Sequence, residues 1–175
     1  MIRLILGGAR SGKSRQAEQW AQATGLDVTY IATAQAHDDE MCERISRHRE
    51  DRPHHWVTIE EPLQLAPAIV AHQAPDRCLL IDCLTLWVTN QLLANADMPA
   101  ERHELCDALK TAQGTIILVS NETGMGVVPM GELSRRFTDE AGWLNQSIAG
   151  LADQVVLMVA GIPMLLKGPS LEVTE

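Results

Sequence analysis

Gly7-Gly8-Ala9-Arg10-Ser11-Gly12-Lys13-Ser14 follows the apolar run Ile2–Leu6 and opens a stretch with helical spacing, Lys13–Thr24, closed by Gly25. Strand, glycine-rich loop and helix in that order, with G-x-x-x-x-G-K-S across the loop, is a pattern built to hold phosphate. The glycines let backbone N–H groups approach phosphate oxygens with no Cβ in the way. The helix N-terminus adds donors and a partial positive charge. Lys13 can reach the β- and γ-phosphates, and the Ser14 hydroxyl can ligate Mg²⁺. The whole of Gly7, Gly8, Ala9, Arg10, Ser11, Gly12, Lys13 and Ser14 is therefore predicted to cradle a nucleoside triphosphate.

Outward from the loop, short apolar runs alternate with helical stretches. Strands are predicted at Val28–Thr33, Cys78–Ile81, Thr115–Val119 and Gln154–Ala160, with a possible short one at Val57–Ile59. Met164–Leu166 is predicted to pair back after a Gly161-Ile162-Pro163 turn. Helices are predicted at Asp38–Arg49, Leu63–His72, Leu84–Ala94, Ala100–Ala112 and Glu132–Leu151. Near-continuous apolar strands are covered on both faces, which means a mostly parallel sheet. The expectation is a three-layer α/β fold of the P-loop NTPase kind, with helices on both faces of the sheet. In such folds ligands bind at the carboxyl ends of the strands. Gly7–Ser14, Ala32–Ala34, Asp82 and Asn121–Glu122 each follow a strand and should share that edge.

A chain of 175 residues with 46% hydrophobic residues can bury a substantial core as one domain, with residues 168–175 as a flexible tail. The net charge of −9 argues against a nucleic-acid partner, since phosphate backbones attract basic surfaces. The scarcity of aromatics, four Trp, one Tyr and one Phe, removes the stacking platform of single-strand binders. No apolar stretch has membrane-spanning length. The N-terminus runs directly into a strand, unlike a signal peptide. Cys42, Cys78, Cys83 and Cys106 show neither zinc spacing nor a disulfide framework. Reduced thiols in a cytoplasm are the simple expectation.

Asp82 ends the run Leu79-Leu80-Ile81, where a P-loop enzyme places a carboxylate near Mg²⁺; the alternative is a cap for the following helix. His48 sits among Arg44, Arg47, Arg49 and Arg52 and shares a helical face with Met41 and Ile45. Neighbouring arginines favour the neutral imidazole that a nucleophile needs, but a core histidine on a solvated helix fits the spacing as well. His54-His55, adjacent in an extended segment, point to opposite sides and read as structural. Glu60 and Glu61 can accept donors from a base or ribose, or be plainly exposed. Asn121-Glu122-Thr123-Gly124-Met125-Gly126-Val127-Val128-Pro129 reads equally as a substrate loop, a lid or a turn. Arg135 and Arg136 are possible cations for the site, or part of a solvated helix face.

Several motifs in order carry a resemblance: Gly-Gly-Ala-Arg-Ser-Gly-Lys-Ser at 7–14, Tyr-Ile-Ala-Thr-Ala at 30–34, Asp-Asp-Glu-Met at 38–41, Arg-Ile-Ser-Arg-His-Arg at 44–49, Arg-Pro-His-His-Trp at 52–56 and Asn-Glu-Thr-Gly-Met-Gly-Val-Val-Pro at 121–129. From Ile2 to Lys167 the chain resembles the bifunctional adenosylcobinamide kinase / adenosylcobinamide-phosphate guanylyltransferases of cobalamin biosynthesis. The resemblance implies phosphorylation of adenosylcobinamide by ATP or GTP. It also implies transfer of GMP from GTP, through an enzyme histidine, onto adenosylcobinamide phosphate, with release of pyrophosphate. His48 matches the histidine. Nucleotide contacts are implied at Gly7–Ser14, at Ala32, Thr33 and Ala34, at Arg49, Glu50, Asp51 and Arg52, at Glu60 and at Asp82. Ser14 and Asp82 fall near Mg²⁺. The family carries Lys-Asp-Gly-Arg where this chain has Arg49-Glu50-Asp51-Arg52, Glu where it has Asp82, and a second histidine where it has Arg47. The resemblance further implies a homotrimer. Without it, a P-loop kinase for another small hydroxyl substrate and a non-catalytic nucleotide switch fit the loop as well.

Overall fold

The computed structural model describes residues 1–35 and 53–169. Among them seven strands form one sheet: β1 (Ile2–Gly7), β2 (Asp27–Ala32), β3 (Val57–Glu60), β4 (Arg77–Asp82), β5 (Thr115–Asn121), β6 (Gln154–Val159) and β7 (Ile162–Lys167). The order across the sheet is β3-β2-β4-β5-β1-β6-β7. All neighbours run parallel except β6 and β7, which form an antiparallel hairpin. The helices among the described residues are α1 (Lys13–Ala23), α2 (Leu65–His72), α3 (Leu84–Leu93), α4 (Met98–Thr111) and α5 (Glu132–Leu151). The predicted helix at Asp38–Arg49 lies outside the described residues.

Side chains alternate across each strand, so every central strand feeds two cores. Leu79 and Ile81 of β4 join Leu4, Leu118 and Ile31 beneath α2, α3, α4 and α5. Leu80 and Cys78 face the other way, with Ile5, Ile117, Tyr30 and Val156, and meet Ala17 and Ala21 of α1 together with Trp56. The small side chains of α1 let its backbone lie close to the sheet. Each fully buried Leu or Ile contributes about 1.5–3 kcal/mol relative to exposure, and the two cores place that burial under both layers of helices.

Element boundaries differ from the sequence expectation where caps and turns decide. α2 begins at Leu65 rather than Leu63, because the Glu61 carboxylate holds Leu63 N–H (3.0 Å) and Gln64 N–H (2.7 Å) in a turn. Pro67 then falls in the first turn, where its missing N–H is not needed. α4 begins at Met98 rather than Ala100, capped by Asp97 accepting from Ala100 N–H at 3.2 Å, with Pro99 in its first turn. β7 begins at Ile162, so the hairpin turn is Ala160-Gly161, both with left-handed φ (51° and 81°), the geometry that matches strand twist. Pro163 is tolerated in β7 because that strand is an edge. Of the expected tail, Gly168 and Pro169 are described, and the Gln154 side chain donates to Pro169 O at 3.1 Å. No helix among the described residues is long and apolar enough to cross a membrane.

Candidate active site

The strand ends predicted to share an edge do so. Gly7 at the end of β1 pairs in register with Asn121 of β5, and Ala32 at the end of β2 pairs with Asp82 of β4. Glu122 N–H donates to Gly7 O (3.0 Å), and Thr33 N–H donates to Asp82 O (3.2 Å). The glycine loop, the Ala32–Ala34 segment, Asp82 and the start of the 121–131 segment thus form one rim.

The loop is shaped by close approaches. Gly7 has φ 153°, and a Cβ there would lie 2.6 Å from both Met158 O and Ser11 Oγ. Gly12, with φ 96°, caps α1 without any side-chain hydrogen bond, and no acidic residue occupies the first turn of that helix. No capping side chain or first-turn acid competes for its leading N–H groups, which suits them to an anion. Arg10 also takes a left-handed φ, 56°, a conformation that costs a non-glycine residue about 1 kcal/mol. Ser11 N–H donates to Gly8 O (3.3 Å), and Ser11 O accepts from Gly161 N–H (3.0 Å), so the β6–β7 turn props the loop from behind. The Ser11 hydroxyl is buried without a hydrogen-bond partner.

Lys13 is buried, with only 8% exposure, and its ammonium donates to Gly8 O at 2.6 Å. Burial lowers its pKa below the ordinary 10.5, and charge on Cys83 and Asp82 opposes that shift. Burial and then the Asp82 charge push the Cys83 thiol up to about 11, so near neutral pH Cys83 is uncharged. Asp82 is then the neighbour that supports the Lys13 ammonium. Asp82 is half-buried, and Ser14, one residue into α1, is also half-buried.

Other candidates are engaged in holding the chain. Thr33 is fully buried; its hydroxyl donates to Cys83 O (2.7 Å) and accepts from Cys83 N–H (2.9 Å). The peptide bond between Asp82 and Cys83 is cis. Glu60 ends β3 on the exposed surface of the same rim, whereas the Glu61 carboxylate is taken by the turn into α2. The 121–129 segment opens as a turn, with Gly124 N–H donating to the Glu122 carboxylate at 2.9 Å. Beyond that turn Met125, Val127, Val128 and Met130 are strongly exposed. Arg135 does not point a free cation into the site: it donates to Pro129 O (3.3 Å) and to Met130 O. His54 and His55 lie on the surface. His48 and Arg49–Arg52 lie outside the described residues.

Sequence reasoning missed the buried polar side chains of α3. Asn90 donates through Nδ2 to Thr33 O (2.8 Å) and Pro62 O (3.1 Å). The Thr85 hydroxyl accepts from Asn121 N–H (2.7 Å). Gln91 and Trp87 both donate to Leu63 O, at 2.8 and 2.9 Å. The available signal was Thr85, Thr89, Asn90 and Gln91 standing in the otherwise apolar helix Leu-Thr-Leu-Trp-Val-Thr-Asn-Gln-Leu-Leu. A polar group in such a helix must find a partner when buried.

The chain is similar to known proteins over nearly its whole length. The chain is 59% identical over 170 residues to the bifunctional adenosylcobalamin biosynthesis protein CobP of Pseudomonas aeruginosa, covering 96% of this chain and 98% of that one. It is 42% identical over 182 residues to the bifunctional adenosylcobalamin biosynthesis protein CobU of Salmonella typhimurium, covering 95% and 100%. A solved structure of the RadB recombinase matches with a TM-score of 0.50 at 11% identity, over 89% of this chain and 73% of that one. That likeness concerns the fold alone. The family described as cobinamide kinase / cobinamide phosphate guanyltransferase matches residues 3–166. With the phosphate loop at the strand ends and the match running almost end to end, the chain belongs to the cobinamide kinase / cobinamide phosphate guanyltransferase family.

Proposed function

We propose that the Gly7–Ser14 rim binds ATP or GTP for phosphorylation of adenosylcobinamide, and GTP for guanylylation of the product through a GMP-histidine at His48. The observation that carries this is Lys13, buried at the cradle with Asp82 beside it and an uncapped helix N-terminus behind it. In the first reaction the aminopropanol oxygen of adenosylcobinamide attacks the γ-phosphorus, and the bond to the nucleoside diphosphate breaks. Lys13 leaves Gly8 O for the phosphate oxygens, where its charge offsets the negative charge that develops during transfer. In the second reaction an imidazole nitrogen of His48 attacks the α-phosphorus of GTP, and the bond to pyrophosphate breaks. A phosphate oxygen of adenosylcobinamide phosphate then attacks the same phosphorus, the P–N bond breaks, and the imidazole is restored.

The Ser14 hydroxyl and the Asp82 carboxylate would hold Mg²⁺. Both are hard oxygen donors at the rim, and two protein oxygens suffice because Mg²⁺ keeps waters and phosphate oxygens as its other ligands. Among the described residues no group of three His, Cys, Asp or Glu forms a protein-only metal site. When bound, Mg²⁺ supplies neutralisation of triphosphate charge. In this reading the nucleotide meets Ala32 and Ala34, both half-buried at the rim, while Thr33 is fully buried, with its N–H on Asp82 O and its hydroxyl on Cys83, and stands behind them without touching the nucleotide. Glu60 and Arg49, Glu50, Asp51 and Arg52 complete the nucleotide contacts in this reading. A homotrimer belongs to the same reading, and the exposed apolar side chains Ile162, Met164 and Leu166 of β7 are a surface it would cover.

Lys13→Ala tests the shared site. It should fold and lose both activities by at least about a hundredfold, the scale of removing a group that stabilises transition-state charge. Loss of one activity with the other intact would separate the two nucleotide sites.

A further inference from the structure

We propose that Thr33 and Asn90 are positioning residues for Asp82: through the backbone at Asp82-Cys83 they fix where the carboxylate stands for the cation that accompanies the nucleotide. This rests on the reading of Asp82 given above. A carboxylate at a strand end swings with the peptide that follows it, so its place depends on what holds that peptide. Here Thr33 takes hold of it at both ends. The Thr33 N–H donates to Asp82 O at 3.2 Å, and the Thr33 hydroxyl accepts from Cys83 N–H at 2.9 Å. The same hydroxyl donates onward to Cys83 O at 2.7 Å. One side chain thus satisfies both backbone groups of Cys83 and, with its own N–H, the carbonyl of Asp82.

Thr33 in turn is held by α3. Asn90 uses both Nδ2 hydrogens, one on Thr33 O (2.8 Å) and one on Pro62 O (3.1 Å). Thr33 is fully buried and Asn90 is 5% exposed, so neither side chain is open to solvent or placed to touch a nucleotide. β2 and β4 are parallel neighbours in register up to Ala32 and Asp82. Regular ladder bonds end there, and the Thr33–Asn90 pair carries the pairing one residue further, where the carboxylate leaves the sheet. Replacing Thr33 by Val keeps the shape and deletes the hydroxyl, while Ser keeps the hydroxyl.

The test is calorimetric affinity for a non-hydrolysable ATP analogue, with Mg²⁺ and in EDTA, on the full chain. The ratio of the two affinities isolates the cation. Asp82→Asn should bring the ratio towards one. Thr33→Val should lower it by about tenfold, the low end for residues that orient metal ligands without touching the metal. Affinity in EDTA should stay within about twofold, and Thr33→Ser should keep the wild-type ratio within about twofold. A folded Thr33→Val protein with the wild-type ratio, alongside a collapsed ratio in Asp82→Asn, overturns the inference. If Thr33→Val does not fold, Asn90→Ala carries the test, with a lowered ratio in support and an unchanged one against. An Asp82→Asn ratio equal to wild type removes the reading of Asp82 instead.

Discussion

Lys13 has neighbours of opposite effect. Burial disfavours its charge, while Asp82 favours it, and the net result is a pKa below the ordinary 10.5. Phosphate oxygens arriving at the cradle favour the charged form and raise that pKa again. ATP binding should therefore be accompanied by proton uptake at Lys13 in the alkaline range below 10.5. Affinity should fall as pH rises through the lowered pKa, earlier than for an exposed lysine. Calorimetry of ATP binding in two buffers of different ionisation enthalpy reads the uptake directly. Binding without proton uptake throughout that range would mean that Lys13 is not desolvated in the free protein. Lys13 itself was legible from its motif, as was Asp82 from its place after an apolar run. The burial of Lys13 and its tie to Gly8 O were not, since they depend on how the loop folds back and packs in three dimensions.

At the scale of the element, the phosphate loop is held by a neighbour that no local pattern announces. The β6–β7 turn contributes Gly161 N–H to Ser11 O, and Met158 of β6 lies against Gly7. Gly7→Ala should destabilise the fold by about 1–3 kcal/mol, the usual range for overpacking, and also displace the loop and weaken ATP binding. Gly8→Ala meets open space, with nothing within 4 Å of the added Cβ, and should leave thermal stability near wild type. Thermal denaturation of the two variants checks the contrast, and equal stability would contradict the close packing at Gly7. The strands and α5 were readable because their patterns are continuous. The starts of α2 and α4 were misplaced because the Glu61 turn and the Asp97 cap outweigh apolar periodicity. The buried polar residues of α3 could be seen in the sequence but not assigned partners, because those partners lie on segments distant in the chain.

Across the whole molecule, the parallel sheet gathers Gly7, Ala32, Asp82 and Asn121 to one rim from four separate strands. The scheme proposed above asks that rim to present a γ-phosphorus to a hydroxyl and an α-phosphorus to an imidazole. One fixed nucleotide pose does not aim both phosphorus atoms at one point, so the proposed scheme requires the nucleotide to bind in two poses. In the proposed scheme His48 is the group that carries GMP. The direct measurement uses GTP labelled at the α-phosphate or, separately, at the γ-phosphate, followed by denaturation of the protein. The account predicts that only the α-label remains attached, acid-labile and alkali-stable as a phosphoramidate is. It further predicts that His48→Asn loses the label while still phosphorylating adenosylcobinamide. Protein-bound α-label persisting in His48→Asn would contradict it.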